Sequence, residues 1–115
     1  MAARAVVARV IQRGDIRWYQ FGRPDKRRPV LILTRDSALE YLSGVTIAPV
    51  TSTIRGVPSE VALSREDGMP RPCAINLHGM QTVPMERVGA FITSLTPDTM
   101  ELTRKSLLFA LGFDD

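Results

Sequence analysis

The sequence offers little to metal or redox chemistry. It holds one cysteine, Cys73, and one histidine, His78. One of each falls short of a zinc site, and no acidic cluster has calcium spacing. A lone cysteine has no partner for an internal disulfide. With no signal-like apolar segment either, that points to the reducing cytosol. No apolar run approaches the length that crosses a bilayer, so no membrane partner is expected. No glycine-rich phosphate loop leads into a helix. A Cys73–His78 nucleophilic pair is disfavoured, because residues five apart on a strand point to opposite faces unless a bulge intervenes. Internal repeats and linkers are also missing. What remains is a chain of 115 residues, 44% apolar and 23% charged, which fits one domain over 1–115 with a real core.

Lysine is scarce, and arginine takes its place. Thirteen of the fifteen basic residues are arginine, which favours forked contacts to phosphate over diffuse attraction. The net charge of +3 hides an asymmetry: residues 1–35 carry nine basic and two acidic residues, whereas 36–115 carry six and ten. The first part is therefore +7 and the rest −4. A solvated basic face and a surface for a polyanion fit that charge equally well.

The chain reads as mainly β. Residues 1–12 form an N-terminal extension; Val6, Val7, Val10 and Ile11 suit a helix face, and their β-branching suits a strand equally. Arg13-Gly14-Asp15 makes a turn. Ile16 to Phe21 alternates as a strand, with Trp18 expected in the core and base stacking as the alternative. Gly22 to Arg28 is a loop carrying Arg23, Lys26 and Arg27, a basic funnel beside a strand end. Val30 to Thr34 and Val45 to Val50 are short apolar runs, read as central strands. Between them Asp36 is expected to cap a short helix stopped by Gly44. Pro49 lacks a ladder donor and is expected at a bulge or an edge. Further strands are expected at 59–64, 73–77, 80–83 and 88–95. The clearest helix follows: Thr96 caps, Pro97 takes the first position, Asp98 suits the dipole, and Gly112 terminates. Met100, Thr103, Leu107, Leu108 and Leu111 have helical spacing. Strands first and one packed helix last suggest an α+β domain, a small curled sheet or barrel with a capping helix.

The strand at Val30 begins at Arg28, and the strand at Val45 ends in Thr51, Ser52 and Thr53. If they are antiparallel neighbours, Arg28 and Thr51 lie at one end of the sheet, a place to hold a phosphate. A surface ion pair for Arg28 and a strand cap for Thr51 are the plainer alternatives.

Several fragments, in order and spacing, resemble the MazF/PemK family of toxin endoribonucleases. They are Arg13-Gly14-Asp15-Ile16-Arg17-Trp18, Arg28-Pro29-Val30-Leu31-Ile32-Leu33, Ala48-Pro49-Val50-Thr51-Ser52, Ser59-Glu60-Val61, Thr82-Val83 and Leu95-Thr96-Pro97-Asp98-Thr99-Met100. The resemblance implies a small SH3-like or CcdB-like barrel of antiparallel strands. It implies cleavage of single-stranded RNA at a short sequence by 2′-OH attack, without a cofactor, leaving a 2′,3′-cyclic phosphate and a 5′-OH. Arg28 then contacts the phosphate and is the candidate acid, and Thr51 donates to a phosphate oxygen. Arg23, Lys26, Arg27, Ser52, Thr53, Asn76 and Gln81 are the expected RNA contacts. His78 stands where many relatives carry aspartate, so the general base is either His78 or another group. Its plainer alternative is a surface histidine capping the turn at Gly79. The resemblance further implies a homodimer and a cognate antitoxin with an acidic, disordered tail. A CcdB-like gyrase-binding toxin and a plain SH3-like binding module are the other readings, and neither needs Arg28 and Thr51 together.

Overall fold

The fold is given by a computed structural model, which describes residues 10–22 and 27–114. The expectations for the first nine residues and for Arg23 and Lys26 lie outside the described residues. Seven strands occur among the described residues: β1 Asp15–Gln20, β2 Arg27–Ile32, β3 Gly44–Thr51, β4 Glu60–Leu63, β5 Cys73–Asn76, β6 Gln81–Pro84 and β7 Val88–Ser94. Two α-helices accompany them, α1 Asp36–Leu39 and α2 Pro97–Leu111. The pairings are antiparallel, in the order β4-β5-β3-β2-β1-β7, with β6 beside β3. The expected strands and C-terminal helix are present. The sheet is not closed: β4 and β7 end the path without pairing to each other, so of the expected curled sheet or barrel the open form is the one present.

Both faces of the sheet are covered, which is why Val30-Leu31-Ile32-Leu33 is apolar throughout instead of alternating. Leu31, Ala48, Val50, Val61, Leu63 and Ile75 bury against one face, where Met100, Leu107 and Ala110 of α2 pack. Tyr19, Val30, Ile32, Val45, Ile47 and Val83 form a second cluster with Phe21, Leu39 and Met85. Full burial of each large aliphatic side chain contributes about 1.5–3 kcal/mol. The α2 signals act as expected: Thr96 Oγ1 accepts the Thr99 N–H at 3.2 Å, and Gly112 takes φ 82°. Its packed stripe keeps Met100, Thr103 and Leu107 of the expected spacing, adds Ser106 and leaves out Leu111. Thr103 and Ser106 are buried, Ser106 donating to the Pro58 carbonyl at 2.7 Å, whereas Leu111 is 50% exposed.

Two local expectations are corrected. Asp36 does not cap α1; Arg35 holds that position without a side-chain bond, and Asp36 Oδ1 instead accepts the Arg13 N–H at 2.7 Å. Pro49 sits at neither a bulge nor an edge. It pairs in unbroken register with Val30 of β2, in the interior of the sheet. On its other side β3 changes partner: β6 pairs with Gly44 to Ile47 and β5 with Val50 and Thr51. Ala48 and Pro49 fall in the gap, where the missing donor costs no ladder bond to either partner. The bulges lie between β1 and β7 instead. There Asp15, 1% exposed, accepts from the Gln12 N–H, Arg17 Nε and the Ser94 hydroxyl, and Arg17 donates onward to the Gly89 carbonyl. This buried ion pair fastens the first strand to the last.

Candidate active site

The β2–β3 register fixes the geometry of the site. Val30, Leu31 and Ile32 face Pro49, Ala48 and Ile47, and Arg28 and Thr51 follow two residues beyond the end of this pairing, each on its own strand at the same end of the sheet. Alternation puts Arg28 on the face of Val30 and Ile32, and Thr51 on the face of Pro49 and Ile47. The guanidinium and the hydroxyl thus leave the same face at the same end of the sheet. Both residues are half-buried. Arg28 Cζ lies 6.0 Å from the Phe21 ring centre. Thr51 Oγ1 accepts the Thr53 N–H at 3.1 Å, which orients the hydroxyl and leaves its proton for another acceptor. The strand-cap alternative is therefore realised without using up the donor.

A cavity of about 430 Å³ opens at this end and touches both Arg28 and Thr51. Trp18, Arg27 and Pro29 line it from β1 and β2, and Val50 and Ser52 from β3. The segment entering β5 adds Met69, Pro70, Arg71 and Cys73, and β7 adds Ile92. Among the described residues three guanidinium-bearing side chains border the cavity, and no carboxylate does. Burial raises the Cys73 thiol pKa above its ordinary value; the charge of Asp67 adds to this and that of Arg71 opposes it.

Trp18 departs from its expected place. It is half-buried on the cavity wall, with Arg27 Cζ 4.2 Å from its ring centre. Alternation sets it on the face of Ile16 and Leu31, but toward the end of β1 where the packed core gives way to the cavity. Arg71 escaped sequence reading altogether. Its only signal was its position between Pro70 and Pro72, which hold an arginine on an extended segment.

The structure gathers Arg27, Arg28, Thr51 and Ser52 around one cavity. Thr53 follows on the exposed loop and reaches the site through its N–H on Thr51. Asn76, His78 and Gln81 do not line the cavity. Asn76 Oδ1 accepts the His78 N–H at 3.0 Å and caps a 3-10 turn over Leu77–Gly79, on which His78 is exposed. This turn packs on Pro49: a Cβ added to Gly79 would come within 2.8 Å of Pro49 Cγ. Gln81 pairs with Ile47. That is about 13 Å along β3 from Thr51. Among the described residues, no three His, Cys, Asp or Glu side chains converge so as to hold a metal ion. No described helix is long and apolar enough to cross a membrane.

This arrangement has known counterparts. The family model of PemK-like, MazF-like toxins of type II toxin–antitoxin systems matches residues 12–111. The chain belongs to this family. Within it, the endoribonuclease MazF3 of Mycobacterium tuberculosis is 37% identical over 81 residues, covering 67% of this chain and 79% of the relative. The probable endoribonuclease MazF2 of the same species is 31% identical over 103 residues, covering 89% and 99%. Among solved structures, the Mycobacterium tuberculosis toxin MazF-mt6 superposes with a TM-score of 0.80 at 33% identity, covering 88% of this chain and 99% of that one. The fold also matches a mycobacterial endoribonuclease solved with its cognate antitoxin, at a TM-score of 0.81 and 24% identity.

Proposed function

We propose that this PemK/MazF-family chain is an endoribonuclease that cuts single-stranded RNA, with Arg28 and Thr51 as its catalytic pair. The observation that carries the reading is that the β2–β3 pairing brings Arg28 and Thr51 to the same end of the sheet, where both border a cavity rimmed by arginine. The endoribonuclease names of its relatives support it and disfavour the gyrase-binding alternative.

RNA supplies its own nucleophile, the 2′-OH next to the scissile phosphate, so the protein needs neither a metal nor a nucleophilic side chain. The Arg28 guanidinium donates to the non-bridging oxygens and stabilises the charge that builds on the phosphorane. The Thr51 hydroxyl, held by the Thr53 N–H, donates to one of the same oxygens. The 2′-OH gives up its proton to solvent as its oxygen attacks phosphorus, the bond to the 5′-oxygen breaks and that oxygen takes up a proton, and a 2′,3′-cyclic phosphate and a 5′-OH result. Arg28 is the group placed to pass a proton toward the leaving oxygen. Arg27 and Ser52 flank the strand ends as further RNA contacts.

The family description is of toxins of type II toxin–antitoxin systems, so an antitoxin is expected to hold this chain in check, with the cytoplasm as the expected compartment. An acidic, disordered antitoxin tail suits the arginine-bordered site and would exclude RNA from it. A homodimer is the expected assembly. The test is incubation of the purified protein with a long RNA in EDTA. Discrete fragments ending in a cyclic phosphate are expected, and a single 2′-deoxy nucleotide just 5′ of the cut should bind yet resist cleavage. Cleavage of that substrate at the same phosphate would overturn the mechanism.

A further inference from the structure

We infer that the cavity beside Arg28 and Thr51 is a subsite for a keto nucleobase, guanine ahead of uracil, on a nucleotide flanking the scissile phosphate. This rests on the endoribonuclease reading and adds to it the base that the enzyme selects. Position comes first. Arg28 and Thr51 border the cavity at the strand ends while their side chains leave the opposite face, so a strand passing this sheet end can seat its phosphate on one face and an adjacent base in the cavity. Its volume of about 430 Å³ falls in the range of small-molecule sites.

Shape comes second. Trp18 and the Arg27 guanidinium stack at 4.2 Å on the wall. A base laid on the outer face of that guanidinium extends the stack, a sequence-tolerant source of affinity. Chemistry then supplies the choice. Arg27 and Arg71 carry donors only, the Trp18 indole is another donor, and among the described residues no Asp, Glu, Asn or Gln lines the cavity. The amino groups of adenine and cytosine therefore find no side-chain carboxylate or amide acceptor. The O6 and N7 of guanine take two N–H groups of one guanidinium, and uracil O4 takes one. Arg71 is the reader: it is exposed at the cavity, and Pro70 and Pro72 restrict its backbone. One such forked contact discriminates about tenfold to a hundredfold.

The test maps cut sites of the wild-type protein in a randomised RNA pool. Guanine, then uracil, should be enriched at one position beside the cut. Arg71→Lys keeps the charge and loses the fork, so this preference should fall about tenfold or more while cleavage persists. Trp18→Phe should retain the preference, and Trp18→Ala should weaken RNA binding. Trp18 is the only tryptophan, so its fluorescence reports the stack directly. Guanosine 3′-monophosphate should saturate the quench at about tenfold lower concentration than the adenosine analogue. If a folded wild-type protein cuts no RNA, the endoribonuclease reading falls, and this titration still judges the cavity. Enrichment of adenine or cytosine, an unchanged preference in Arg71→Lys, or equal midpoints for the two nucleotides would each overturn the inference.

Discussion

Replacing Thr51 separates chemistry from architecture. Thr51→Ala removes two things: the donor aimed at the phosphate and the acceptor of the Thr53 N–H. The second loss is small. A side-chain-to-backbone bond contributes about 0.5–1.5 kcal/mol, and this one belongs to an exposed loop. Taken from a typical stability of 5–15 kcal/mol, that leaves well under about 1% of the chains unfolded. The first loss is larger. Removing one preorganised donor from a developing oxyanion costs about a hundred- to thousandfold in rate, or roughly 2.7–4 kcal/mol. Unfolding therefore cannot mimic the catalytic defect. Thr51→Val keeps the shape and should lose the same rate, whereas Thr51→Ser keeps the hydroxyl and should stay within about tenfold of wild type. The assay is initial cleavage of a fluorophore-quencher RNA, paired with a urea melt of each variant. Equal losses in Thr51→Ser and Thr51→Ala, or a folded Thr51→Ala that cuts at the wild-type rate, would remove the hydroxyl from the mechanism.

Arg28→Lys keeps one charge but not the fork, and cleavage should fall at least tenfold, with Arg28→Ala a hundred- to thousandfold down in single-turnover assays. His78 is exposed on a turn away from the cavity, so His78→Ala should keep the wild-type pH profile and lie within a few-fold of its rate; loss of an acidic limb would make it the base after all. Cys73 has a raised folded pKa, so the stability it contributes is full below the unfolded value and is lost as pH rises through the folded one. Urea midpoints of Cys73→Ala should therefore decline less than those of wild type above about pH 8.5. Asp15→Ala leaves the buried Arg17 and two other donors without their acceptor. It should cost about 3–5 kcal/mol in the same melts, and a cost below 1 kcal/mol would mean that the pair is not a fastener.

The residues that organise the site could be read in advance because two simple rules agreed there. Continuous apolar runs named β2 and β3 as buried strands, and their antiparallel pairing puts Arg28 and Thr51 at one end of the sheet. The α2 boundaries were equally plain, since Thr96, Pro97 and Gly112 each act within one turn. Other features depended on neighbours that a linear reading does not contain. Pro49 is tolerated inside the sheet because two different strands abut there, an arrangement no local signal announces. Asp36 was drawn from its cap by the Arg13 N–H, twenty-three residues back. Trp18 lies where core meets cavity, and strand alternation gives its face but not what covers that face. Arg71 became part of the site only when the Pro70–Cys73 segment folded beside β2. Openness of the sheet, too, hangs on which strands fail to pair, and composition is silent about that.

The bond between the first strand and the last has a consequence for how the protein is made. Asp15 pairs with Ser94, so β1 leaves the ribosome early and waits for nearly the whole chain before its outer edge is covered. Contacts this distant in sequence form slowly, and translation delivers only about 5–20 residues per second. The cavity shares this delay, because Trp18 comes from β1 and Ile92 from β7. A nascent chain therefore carries its Arg28 and Thr51 for seconds without the cavity beside them. A chain that stops before Val88 never acquires it. The cavity is thus a property of a chain folded through β7.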